Sequence, residues 1–175
     1  CALPIYKFPS DLATIAADIA AAGRTPGLWL APFLASSDAP VFREHPDWFA
    51  RDLRRPDRPV AGMLHEMWGG LMWQLDTTNP EVLDHLETTA RTLRSMGYSY
   101  LKLDFTFSPG APGIYQDRSA TPAQRIRAGY DAVRRGAGDD AFILGCGAPL
   151  GAVVGVVDAM RIGPDVDRKS TRLNS

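Results

Sequence analysis

Cysteine, lysine, histidine and long apolar runs are all scarce in this chain of 175 residues. Each scarcity removes a class of explanation. The two cysteines, Cys1 and Cys146, are too few for a disulfide framework or a cysteine metal cluster, which leaves a reducing, cytoplasmic compartment as the default. His45, His65 and His85 have no ligand spacing, and His85 falls inside a predicted helix, so a structural or exposed role suits all three better than a metal centre. No apolar stretch approaches the roughly 18 residues that span a bilayer, which argues against a membrane protein. A formal net charge of −1 without an extended basic run argues against a nucleic-acid groove or an anionic membrane surface as partner. No Gly-x-Gly-x-x-Gly follows a strand and no Walker-type loop appears, so nothing calls for a nucleotide or any other cofactor.

Lysine is scarcest where it is most telling. One of the three lysines is Lys169, within Asp167-Arg168-Lys169-Ser170-Thr171-Arg172-Leu173-Asn174-Ser175, a stretch that reads as the translation of a common sequencing adapter. Residues 167–175 are therefore expected to be a non-native tail, and the fold is read from residues 1–166. Cys1 opens the chain without an initiator methionine or a signal peptide, in what reads as the middle of a domain, so the native start is expected upstream.

What remains is a globular composition, 45% hydrophobic, with one conspicuous strand. Tyr100-Leu101-Lys102-Leu103-Asp104-Phe105 sets a lysine and an aspartate two apart, which puts both on one face of an extended segment. Burying an unpaired charge costs several kcal/mol or more, so an apolar strand carrying both has an internal ion pair, frays into solvent at Asp104, or serves a site for a polar substrate.

Around that strand the chain alternates helix and strand. Ser10 is the expected cap of a helix from Asp11 to Ala22, closed by Gly23, and Gly27-Leu28-Trp29-Leu30-Ala31 is a short buried strand ended by Pro32. Residues 35–73, with prolines at 40, 46, 56 and 59, read as one long irregular loop. Asn79 and Pro80 open a second helix that Gly97 closes, and Thr121-Pro122-Ala123-Gln124 is a capping box for a third that ends near Gly136. Ala141 to Gly145 and Asp158 to Ile162 are two further strands, with a short helix between Ala148 and Val157.

Strands separated by helices imply parallel crossover units of the α/β class, in a barrel or a doubly wound sheet. Asp104, Cys146 and Asp165 all lie at or just past the C-terminal ends of their strands, where a (β/α)8 TIM barrel carries its active site and where a doubly wound sheet also binds ligands. Such a barrel takes about 250 residues, so four strands here amount to roughly its middle half.

Two aspartates on separate strand ends suit glycoside hydrolysis, in which one carboxylate attacks or activates at the anomeric carbon and a carboxylic acid protonates the leaving oxygen. A carboxylate beside a cation stays ionised, so Asp104, near Lys102, suits the nucleophile and Asp165 the acid; Arg161 lies close to Asp165 in sequence and could also clamp a sugar hydroxyl. A divalent-metal site fits poorly, because the third strand ends in Gly145-Cys146-Gly147 with no carboxylate. Cys146 as a thiolate nucleophile would need a histidine base beside it. Trp29 lies in a strand, while Trp48, Trp68 and Trp73 fall in the long loop and are candidates for a substrate wall or an oligomer contact, with core packing the alternative.

Five motifs in order carry a family resemblance: Gly27-Leu28-Trp29-Leu30-Ala31-Pro32, His45-Pro46-Asp47-Trp48, Leu75-Asp76-Thr77-Thr78-Asn79-Pro80, Lys102-Leu103-Asp104 and Arg161-Ile162-Gly163-Pro164-Asp165. With them the chain resembles the α-galactosidases of glycoside hydrolase clan D, most closely family 36, over residues 1–166. The resemblance implies retaining hydrolysis of terminal α-galactosides, with Asp104 as nucleophile and Asp165 as general acid and then base. It implies that Lys102 contacts sugar hydroxyls, that Arg161 sits near the 2-hydroxyl and the acid, and that Trp29 lines the sugar subsite. Cys146 is a weaker correspondence, since Gly147-Ala148-Pro149-Leu150 departs from the family's patterns there. The Asp-Asp-Gly-Trp type motif of the preceding strand is absent from this sequence and is expected upstream. The chain alone, as an unclosed barrel with exposed strand edges, is expected to be inactive and insoluble. A galactosyl transglycosylase on the same fold and a non-catalytic sugar-binding barrel are the alternative readings.

Overall fold

The computed structural model describes residues 11–65 and 70–163. Ser10, Trp68, Asp165 and the 167–175 tail lie outside them.

Helix α1 (Leu12–Ala21) is capped by Asp11, whose carboxylate accepts the Thr14 N–H at 2.9 Å, so the capping residue stands one place later than the pattern suggested. Strand β1 (Gly27–Leu30) follows. Next comes the largest departure from the sequence reading. Residues 35–73 are not an irregular loop: β2 (Leu34–Ser36), helix α2 (Pro40–Glu44), a 3-10 turn at Pro46–Trp48, β3 (Ala61–His65) and β4 (Gly70–Gln74) build an antiparallel sheet in the order β2-β4-β3. Its strands are short and the β3–β4 pairing slips between Ala61 and Met63, so no clean alternation of apolar and polar residues announces them. The prolines that suggested a loop avoid the strands. Pro40 and Pro46 each occupy the first position of a helical turn, where a missing N–H is harmless.

Helix α3 (Pro80–Ser95) is as the sequence indicates: Asn79 accepts the Glu81 N–H at 2.9 Å, Val82, Leu86, Ala90 and Leu93 form the buried stripe, and Gly97 follows with φ 102°. Burying each of the larger apolar side chains stabilises the fold by about 1.5–3 kcal/mol. Strand β5 (Tyr100–Leu103) leads to helix α4 (Pro122–Ala137), which opens on the complete Thr121/Gln124 capping box. This helix ends at Ala137, next to the expected Gly136. Gly136 lies inside it at the crossing with α3, where a Cβ would sit 2.0 Å from the Glu87 carbonyl oxygen, and Gly138 caps the end at φ 81°. Strand β6 (Phe142–Cys146), helix α5 (Leu150–Val153) and strand β7 (Ala159–Arg161) complete the described chain. Asp158 stands just outside β7 because its carboxylate accepts the Ile143 N–H at 2.7 Å and pairs with Arg134 at 2.6 Å.

The strands β1, β5, β6 and β7 form one all-parallel sheet in that order, with helices in the crossovers. On the face towards α3 and α4, Leu101, Leu103 and Ile143 are wholly buried among Val82, Leu86, Ile126 and Val133. The other face carries the polar residues. No helix among the described residues is long and apolar enough to cross a membrane.

Candidate active site

The polar face follows from strand register. Trp29 on β1 stands opposite Lys102 on β5, Lys102 opposite Leu144 on β6, and Leu144 opposite Ala159 on β7. Two residues further along, side chains return to the same face. There Cys146 is paired with Arg161, and Asp104 follows the last residue of β5. The Asp104 N–H still donates to the Leu30 carbonyl at 2.8 Å, so the parallel ladder holds its backbone even though β5 has ended.

Asp104 is the centre of the group. It is 7% exposed, and as a carboxylate it can only accept hydrogen bonds. Oδ1 accepts the Phe105 backbone N–H at 2.9 Å, and Oδ2 accepts the Trp29 indole N–H at 3.1 Å. Two cations stand further off: Lys102 Nζ lies 4.0 Å from Oδ2 and Arg161 Nη2 lies 3.9 Å from Oδ1. Those separations are Coulombic contacts rather than hydrogen bonds. Lys102 and Arg161 are about one-third exposed, so both reach the surface that a ligand would approach. The arrangement therefore combines a fixed carboxylate with two cationic donors beside it, which suits attack on an electrophilic carbon whose neighbouring hydroxyls need hydrogen-bond partners.

Phe105 shapes the turn. Its φ of 53° is the only left-handed value at a non-glycine among the described residues. Such a conformation costs an ordinary residue about 1–3 kcal/mol and persists only where its surroundings fix it. The Phe105 ring meets the Trp29 indole edge-on, with centroids 6.3 Å apart and planes at 78°. Beyond it, Thr106 donates to the Cys146 carbonyl through its hydroxyl at 2.8 Å and its N–H at 3.4 Å, and the Tyr130 hydroxyl donates to Thr106 Oγ1 at 2.8 Å. Both Thr106 and Tyr130 are fully buried, and they tie the ends of β5 and β6 to α4. Burial is the main cause that pushes the Tyr130 phenol up to about 12.

Of the sequence-derived site residues, Trp29, Lys102, Asp104 and Arg161 converge on one point. Cys146 stands opposite Arg161 at the end of β6, with its side chain buried and its carbonyl accepting from Thr106. The Trp29 indole N–H holds the Asp104 carboxylate. Trp48 is not part of a substrate wall. It is buried, its indole N–H donates to Glu81 at 2.8 Å, and its ring packs between His45, stacked at 3.8 Å, and His85. Burial pushes the His85 imidazole below its usual range. Trp73 belongs to β4, stacks on Phe42 and donates to Ser37. Asp76 is a structural carboxylate, accepting the Thr78 N–H and hydroxyl and the Gln116 N–H at 2.6–2.8 Å.

Sequence reasoning missed Phe105, Thr106, Tyr130 and Arg125. Arg125 is buried, covers the Tyr115 ring at 3.9 Å and donates to the carbonyls of Pro109, Ala120 and Ala111, which fixes the connection after β5. An aromatic, a threonine, a tyrosine and an arginine carry no spacing signal for these roles. Among the described residues, no group of three or more His, Cys, Asp or Glu side chains could hold a metal ion.

Comparison with known proteins places the chain in a family. Residues 3–129 match the family model described as Melibiase. The α-galactosidase AgaA of Geobacillus stearothermophilus is 30% identical over 122 residues, which is 69% of this chain and 15% of that protein. The α-galactosidase TtGalA from Thermus thermophilus, solved in complex with stachyose, superposes with a TM-score of 0.79 at 38% identity, covering 91% of this chain and 33% of that one. An α-galactosidase from Lactobacillus brevis shares the fold at a TM-score of 0.69 and 20% identity, covering 98% of this chain and 23% of that one. The chain thus spans about a third of the Thermus enzyme and less of the others. It belongs to the melibiase family, and its parallel sheet with the flanking helices is part of a TIM barrel like those of α-galactosidases.

Proposed function

We propose that the full-length protein carrying this chain is a retaining α-galactosidase that removes terminal galactose from α-galactoside oligosaccharides. The observation that carries the reading is the Asp104 carboxylate, buried, gripped through both oxygens and flanked by Lys102 and Arg161. In the proposed reaction an Asp104 oxygen attacks the anomeric carbon as the glycosidic oxygen leaves. Asp165 protonates that oxygen, and a covalent galactosyl ester forms on Asp104. Asp165, now a carboxylate, takes a proton from water, which attacks the anomeric carbon and releases galactose with its original anomeric configuration. Lys102 and Arg161 donate to sugar hydroxyls, where hydrogen bonds that strengthen at the transition state lower the barrier. Trp29 offers its indole to the sugar as well as to Asp104, and Cys146 contributes to the floor of the subsite.

Related enzymes support the substrate class. Structures of TtGalA contain stachyose or p-nitrophenyl α-D-galactopyranoside, and a variant of Geobacillus AgaA is seen with raffinose. The test is hydrolysis of p-nitrophenyl α-D-galactopyranoside by the full-length protein beside its Asp104→Asn variant at matched folded concentration. Turnover with α-galactose as the first-formed anomer, lost by a factor of about 10³ or more in the variant, is the expected result. A folded wild-type protein that leaves the galactoside intact, or an inverted first product, would defeat the proposal.

A further inference from the structure

Resting on the retaining reading of Asp104, we infer that Phe105 is a positioning residue that fixes both oxygens of the nucleophile at once. Its left-handed backbone, at φ 53°, turns its own N–H onto Oδ1 at 2.9 Å. Its ring, edge-on to Trp29 with centroids 6.3 Å apart, braces the indole whose N–H holds Oδ2 at 3.1 Å. A glycine would adopt this backbone without strain and could supply the same N–H. A phenylalanine at a left-handed position is therefore accounted for by what the ring does, and the ring reaches the carboxylate through Trp29. The residues on either side are anchored independently: Asp104 N–H to Leu30, and Thr106 to Cys146. The short span between those anchors has one unusual torsion, and it lies at the residue that aims the carboxylate. A misplacement of the attacking oxygen by about 1 Å is enough to cost on the order of 100-fold in rate.

A double-mutant cycle in the full-length protein tests this. Phe105→Gly keeps the N–H and relaxes the backbone but removes the brace. Trp29→Phe keeps a ring for Phe105 to meet but removes the hydrogen bond to Oδ2. With p-nitrophenyl α-D-galactopyranoside, Phe105→Gly is expected to lower kcat about 10- to 100-fold, with KM and the inhibition constant of free galactose within about threefold of wild type. In the Trp29→Phe background the same change is expected to cost several-fold less, because the contact it acts through is gone. If Phe105→Gly fails to fold, Phe105→Leu, which keeps bulk but loses the aromatic edge, replaces it in the cycle. Wild-type kcat in the Phe105 variant, a loss confined to KM, or losses that multiply independently would overturn the positioning role while leaving the galactosidase reading intact. Absence of turnover by the wild-type protein would instead sink the galactosidase reading, and the positioning role with it.

Discussion

Tyr130 shows how far the support of the site extends from its chemistry. Its phenol is buried, donates to Thr106, and through Thr106 ties the Cys146 carbonyl to the end of β5. Removing the hydroxyl in Tyr130→Phe deletes one neutral hydrogen bond, a loss of about 1 kcal/mol near neutral pH. The pH dependence has a definite sign. The folded-state value, pushed up to about 12, exceeds the ordinary value of 10.0, so the folded protein retains a proton that the unfolded chain releases. The protonated phenol's contribution is therefore complete below pH 10 and is lost as pH rises from 10 towards 12. The stability lost across that window is about 2–3 kcal/mol, because burial penalises the phenolate by more than the one hydrogen bond is worth. Urea unfolding of full-length wild type and Tyr130→Phe at a series of pH values is expected to show wild type losing stability relative to the variant above pH 10. A difference that stays constant with pH would contradict it.

Among the elements, α3 and α4 approach each other closely. Gly136 lies where α4 crosses α3, and a methyl group there would meet the Glu87 backbone at 2.0 Å. Backbone cannot swing aside as a flexible side chain does, so Gly136→Ala is expected to destabilise the full-length protein by about 1–3 kcal/mol, despite alanine's better helix propensity. A lower urea midpoint with an unchanged slope would agree. A neutral or stabilising effect would mean that the helices separate easily. The same glycine marks a limit of sequence reading, since a glycine near a helix end resembles a stop signal, and only the neighbouring helix reveals its packing role. Caps and stripes were legible because their causes are local: Asn79 with Pro80, Thr121 with Gln124, and the apolar face of α3 are each written within one or two turns. The antiparallel sheet of β2, β4 and β3 was not legible, because the β2–β4 pairing joins residues far apart in sequence and the short, bulged strands of the β3–β4 hairpin lack a two-residue period. At the site, Lys102 and Asp104 stood out because two charges on one apolar strand are costly. Phe105, Thr106 and Tyr130 act through a backbone torsion and buried contacts that leave no pattern.

For the whole molecule, the parallel order β1-β5-β6-β7 brings the strand ends together, so Trp29, Lys102, Asp104 and Arg161 meet although they are spread over most of the chain. This placement at the C-terminal ends of parallel strands is where TIM barrels carry their chemistry. The sheet supplies a rigid platform, and the helices behind it, packed on Leu101, Leu103 and Ile143, hold that platform in register. The proposed reaction makes Asp104 the nucleophile that this platform presents. Its most direct test is to incubate the full-length protein with a fluorinated α-galactosyl donor whose glycosyl-enzyme hydrolyses slowly, then map the modified peptide by mass spectrometry. A galactosyl adduct on Asp104, absent from Asp104→Asn, is the expected result. An adduct on another residue of an active enzyme would contradict it.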